Sequence, residues 1–107
     1  MYQITIKPNT ITMSGEITST TIEEKYPYII NSSKFITLFG NIPKETMIFI
    51  ANNMKPGHVI SLHQCTAKEN MIAVAKKMKP GTIIDLHFST TQENMIAVAR
   101  NVNHGVS

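Results

Sequence analysis

The chain has 107 residues, enough for one domain of modest size, with ten Lys and Arg against seven Asp and Glu. A net charge of +3 is well short of the basic excess that marks a nucleic-acid binder, and one cysteine excludes an internal disulfide framework and suits a reducing compartment. The start Met1 to Pro8 lacks the basic head and apolar core of a cleaved signal peptide, and no apolar run reaches the roughly twenty residues that span a membrane. The expected location is the cytoplasm; export would need a route this N-terminus does not show.

Tyr2 to Ile6 and Thr10 to Met13 alternate apolar and polar residues around Lys7-Pro8-Asn9, which predicts strand, turn, strand. Thr20 and Thr21 ahead of Ile22-Glu23-Glu24 signal a helix start within 19–30, and Pro27 predicts that this helix is short or broken.

From there the chain repeats itself every 24 residues. Phe35 to Gly40 aligns with Val59 to Gln64 and with Ile83 to Phe88. Ile11 and Met13 fit the same frame with a shift of 25, so a degenerate first unit precedes the regular ones, and residues 1–32 are expected to act as an N-terminal hairpin-like cap. In each regular unit the pairs Ile36/Leu38, Ile60/Leu62 and Ile84/Leu86 lie two apart, on one face of a strand, and point into the core. Between the strands, apolar residues step by three and four. They are Met47, Ile50, Ala51, Met54, then Met71, Val74, Ala75, Met78, then Met95, Val98, Ala99, Val102, one amphipathic helix face written three times. Ile48, Ile72 and Ile96 are placed where helix meets helix.

Thr66 with Glu69 and Thr90 with Glu93 have the capping-box spacing, and Pro43 suits a first helical turn. Lys55-Pro56-Gly57 and Lys79-Pro80-Gly81 end the helices. Short strand-helix units repeated in one direction predict parallel strands with helices on the opposite side. Right-handed crossovers would coil them into a solenoid with a strand-lined concave face. The expected organisation is a single domain over 1–107, with 24-residue repeats from 33 to 107.

Ile36-x-Leu38-x-x-Asn41, Ile60-x-Leu62-x-x-Cys65 and Ile84-x-Leu86-x-x-Ser89 resemble the second half of the strand signature of leucine-rich repeats, in the helix-containing form of the ribonuclease-inhibitor class. The helices Asn70 to Ala75 and Asn94 to Ala99 are similar to the small-residue-rich helices of that class. The chain departs from the pattern where the first Leu slot falls on Ser33, Gly57 and Gly81, and its unit is shorter than usual. The resemblance implies an α/β solenoid. It also implies that Asn41, Cys65 and Ser89 turn inward to bond the backbone of the turning loop. Met-rich and Ile-rich repeats followed by Lys-Pro-Gly resemble, further, the leucine-rich-repeat proteins that intracellular bacterial pathogens deliver into host cells. That likeness implies a host signalling protein as partner, such as a small-GTPase regulator or a ubiquitin component, inhibited by occlusion in the host cytosol.

With Ile84 and Leu86 pointing inward, the opposite face of the strands presents Phe35/Val59/Ile83, Thr37/Ser61/Asp85 and Phe39/His63/His87 across neighbouring strands. Phe35, Val59 and Ile83 are either packed strand neighbours or part of a contact surface. Phe35, Thr37, Phe39, Ser61, His63, Asp85 and His87 are the candidate partner-binding residues, since an apolar cluster on a rigid sheet marks a contact surface. His63 and His87 could approach one ion, but zinc takes three or four ligands and the third place in the row is Phe39, so no metal or other cofactor is expected. Protonating both rings would set like charges side by side, and binding through this face is expected to weaken near about pH 6.

No phosphate-binding Gly-rich loop, metal-ligand cluster or catalytic pair is present, so no enzyme activity is expected. Lys55, Lys76, Lys77, Lys79 and Arg100 fall on the helix side and read as a solvated face rather than a nucleic-acid site. Asn103 to Ser107 begins another turn and strand, leaving the strand of Ile83 to Phe88 short of a neighbour. That open edge predicts the alternative role, self-association through the C-terminal edge.

Overall fold

The pairing of strands in the computed structural model, which describes residues 1–63 and 65–107, follows the sequence repeat residue for residue. Strands β1 (Tyr2–Lys7) and β2 (Thr10–Gly15) form an antiparallel hairpin turned at Asn9, whose φ of 64° is one that Asn tolerates. Helices α1 (Ser19–Lys25) and α2 (Ile29–Ser32) follow, interrupted around Pro27. Then come β3 (Phe35–Leu38), α3 (Lys44–Asn53), β4 (Val59–Leu62), α4 (Lys68–Lys77), β5 (Ile83–Leu86) and α5 (Gln92–Asn101). The sheet order is β1-β2-β3-β4-β5. Ile11 and Met13 sit opposite Ile36 and Leu38, the 25-residue shift of the irregular first unit. From β3 to β5 every partner is 24 residues on.

This architecture overturns the expected right-handed leucine-rich-repeat solenoid. The protein is a compact α/β fold with a five-stranded mixed sheet, one pair antiparallel and the rest parallel, and five helices among the described residues. Its radius of gyration of 12.6 Å matches the about 13 Å of a compact domain of this length. The hairpin belongs to the same sheet, since β2 pairs with β3. Coiling needs enough units for the small rotation between neighbours to accumulate. Here three regular units, joined to the hairpin and α1, enclose one core instead.

That core lies between the sheet and the helices. Ile11, Met13, Ile36, Leu38, Ile60 and Leu62 meet Met47, Ile50, Ala51, Met71, Val74 and Ala75, all buried. Each large side chain so buried is worth about 1.5–3 kcal/mol. Helix ends repeat as faithfully as the strands. Gly57, Gly81 and Gly105 have φ of 85°, 87° and 89°, and the Gly57 and Gly81 amides each donate to the next glycine carbonyl at 2.7 Å. A Cβ on Gly81 would lie 2.9 Å from the Pro56 Cβ, so this turn needs glycine for both conformation and space.

Helix starts differ from expectation. The cap of α4 is Ala67, with no side-chain bond, and that of α5 is Thr91, whose Oγ1 accepts from the Asn94 amide at 3.2 Å. Thr66 and Thr90 are buried, and their hydroxyls have no partner among the described residues. One position earlier than the cap, the chain still faces the core.

Candidate functional site

Phe39, His63 and His87 each follow the last residue of a parallel strand. Their amides donate to the carbonyls of Met13, Leu38 and Leu62 at 3.2, 2.9 and 3.3 Å, so the ladder continues one residue past β3, β4 and β5. Strand spacing of about 4.8 Å then sets ring spacing. The Phe39 and His63 centroids are 4.8 Å apart and those of His63 and His87 5.8 Å. Phe88 extends the row, stacked on His87 at 4.4 Å and almost fully exposed. The repeat alignment misses Phe88 because the sister positions are Gly40 and Gln64; a large aromatic where the copies have none is the signal that could have found it.

Both imidazoles are held in the same way. His63 Nδ1 accepts from the Cys65 amide at 3.2 Å and His87 Nδ1 from the Ser89 amide at 3.0 Å. With Nδ1 an acceptor in each neutral ring, the proton resides on Nε2, which is then a donor and not a metal ligand. Among the described residues no group of three His, Cys, Asp or Glu is placed to hold an ion.

Cys65 departs from the role its resemblance implies. Its side chain is exposed rather than turned inward, while its amide donates to His63 Nδ1. Asn41 and Ser89 are exposed as well; the Asn41 Oδ1 accepts from the Gly15 amide at 3.0 Å, at the end of β2 and not in its own turning loop. Gly40 allows the two loops to approach: a Cβ there would meet the Cys65 carbonyl oxygen at 2.6 Å.

The other candidates share this open face. Phe35 is 42% exposed with the Lys34 ammonium 5.5 Å from its ring centre, Thr37 and Ser61 are half-buried, and Asp85 is exposed. Ser61 donates to Asp85 Oδ2 at 3.2 Å, which partly satisfies the one carboxylate in these rows. Beside the ring row is a recess of about 420 Å³ lined by Ser14, Phe39, Gly40, Asn41, His63 and Cys65. A groove of about 440 Å³ on the helix side, lined by Lys68, Gln92, Glu93, Ile96, Ala97 and Arg100, lies apart from every candidate residue. Lys55, Lys76, Lys77, Lys79 and Arg100 are all exposed.

The arrangement is a two-layer α/β fold with a mostly uncharged sheet face ending in a row of neighbouring aromatic rings. Compared with protein families, with characterised proteins and with solved structures, the chain matches none. No helix among the described residues is long and apolar enough to cross a membrane.

Proposed function

We propose that this chain is a non-enzymatic protein-binding module that captures a partner on its open sheet face. The observation that carries this reading is the ring row Phe39-His63-His87-Phe88, held in register by backbone hydrogen bonds and reaching solvent at Phe88. Rigid aromatic anchors lose little conformational entropy on binding and dominate interface energetics. Phe35, Thr37, Ser61 and Asp85 extend the contact toward the strand starts, and the Nε2 donors of the two histidines give it direction. On the composition of the Met-rich and Ile-rich repeats alone, the partner this proposal takes is a host signalling protein, kept from its own targets by occlusion.

Replacing Phe39 and His87 together by Ala should weaken a partner captured by the wild-type chain about thirtyfold or more, the loss of at least one strong anchor. Thermal unfolding of the variant confirms that the fold persists. Equal affinity in a folded double variant overturns the assignment of this face.

A further inference from the structure

We propose that the end of the molecule where the parallel strands begin is a contact surface for a bilayer rich in anionic lipid. Topology gathers the charge there. Lys7 closes β1 beside Thr10, which pairs with Phe35, as Phe35 does with Val59 and Val59 with Ile83, so the turns that lead into β2, β3, β4 and β5 share one end. Lys34, Lys55 and Lys79 stand in three of those turns, where their carbonyls accept from the Val59, His58 and Thr82 amides. Lys76 and Lys77 form the last turn of α4, which runs to the same end. All six are exposed, and they are six of the ten Lys and Arg. Glu45, Glu69 and Glu93 stand in the first turns of α3, α4 and α5 and Glu16 follows β2, which puts four of the seven acids at the opposite end; none of the seven lies in the four turns.

This distribution gives the end a field that the net charge of +3 conceals. The ten residues of α4 separate the two groups by about 15 Å, whereas physiological salt screens a charge over about 8 Å. A partner at the basic end therefore meets the lysines and little of the acids. Helix polarity accounts for only part of the pattern. Its pull on cations falls off within the last turn, which covers Lys76 and Lys77, whereas Lys7 lies on a hairpin and Lys34, Lys55 and Lys79 lie beyond the last residues of α2, α3 and α4. The one ion pair among the described residues, Lys68 with Glu93, belongs to the other end. The lysines spread over the ends of both layers, sheet and helices, which suits a flat anionic surface. Lysine is a compact charge on a flexible stem, without the fixed guanidinium fork that grips a single phosphate at two points. Ile6, 53% exposed, and the exposed Pro8, Pro56 and Pro80 lie among them. Stable attachment to a membrane surface needs an apolar contribution of this kind beside a basic patch, and the headgroup region accepts both. Nucleic-acid binding, carried by phosphate contacts, leaves those apolar side chains without a partner. None of these residues belongs to the ring row, so the two surfaces can be occupied independently.

Co-sedimentation of the full chain with vesicles tests the proposal, using phosphatidylcholine mixed with phosphatidylserine and phosphatidylcholine alone. The chain should bind the mixed vesicles at low salt, release them as salt rises, and fail to pellet with the neutral ones. Lys34→Glu/Lys79→Glu should weaken that binding about thirtyfold or more, and Lys7→Gln/Lys55→Gln should act in the same direction. Lys44→Glu/Lys68→Glu, a change of net charge equal to the first pair but at the opposite end, should weaken it far less. Circular dichroism checks that each variant stays folded. No binding to the mixed vesicles at low salt overturns the proposal, and so do equal losses in the two Glu variants, which would assign binding to net charge alone. Tighter binding of a DNA or RNA oligonucleotide than of the mixed vesicles, lost with Lys34 and Lys79, overturns the choice of lipid.

Discussion

Thr66 and Thr90 show how a single position can carry the wrong chemistry for its surroundings. In the first regular unit the same slot holds Ile42, 2% exposed, whereas the two threonines bury hydroxyls that find no partner among the described residues. A buried hydroxyl without a hydrogen bond forfeits its hydration, and an apolar group of equal shape does not. Thr66→Val and Thr90→Val should therefore be neutral or stabilising, by up to about 1 kcal/mol each in chemical denaturation. A loss of more than that would mean that the hydroxyls are satisfied in solution. The capping-box spacing pointed at these residues because Glu stands three positions on in both units. What decided otherwise was where the chain leaves the core: Thr91 reaches the Asn94 amide and Ala67 takes the equivalent place without a side-chain bond. Cys65 is similar, since its residue type suits a buried turn while its amide bonds the His63 ring and leaves the thiol exposed.

Among elements, three helices written almost alike have unequal worth. Met71→Ala, in a fully buried slot between β4 and its neighbours, should cost about 2–5 kcal/mol, the usual range for truncating a buried Met. Met95→Ala, in the same place on α5, should cost far less, because the side chain is 43% exposed. Equal losses at the two positions would contradict the burial difference. The helices α4 and α5 are also tied at the surface, where Lys68 Nζ lies 2.8 Å from Glu93 Oε1. The ammonium holds the Glu93 carboxyl below its ordinary range, first by its hydrogen bond and then by its charge. A carboxyl whose pKa is lowered on folding adds stability above its unfolded value of about 4.3, and that contribution is lost as pH falls through the folded value. Lys68→Met should thus lower the melting temperature slightly at neutral pH and low salt, and the gap should close in acid and at high salt. A gap that persists in acid would assign the effect to lost packing of the lysine stem.

At the scale of the whole molecule, the hairpin and the repeated units share one sheet and one core. The amino-acid sequence by itself determined the units and their register. A period of 24 residues, with a shift of 25 for the first, reappears as strand pairing without one slip, since a slip by one residue would turn Ile36, Ile60 and Ile84 out of the core. It also determined the row Phe39-His63-His87, because equivalent residues of paired strands must be neighbours. Tertiary structure alone decided that three units and an antiparallel hairpin enclose one compact core instead of coiling, that Phe88 joins the row, and that the third copy's Met95 and Ala99 face outward. Periodicity records what every unit shares, whereas closure and a lone aromatic depend on what packs against each unit and on where one copy differs from its sisters.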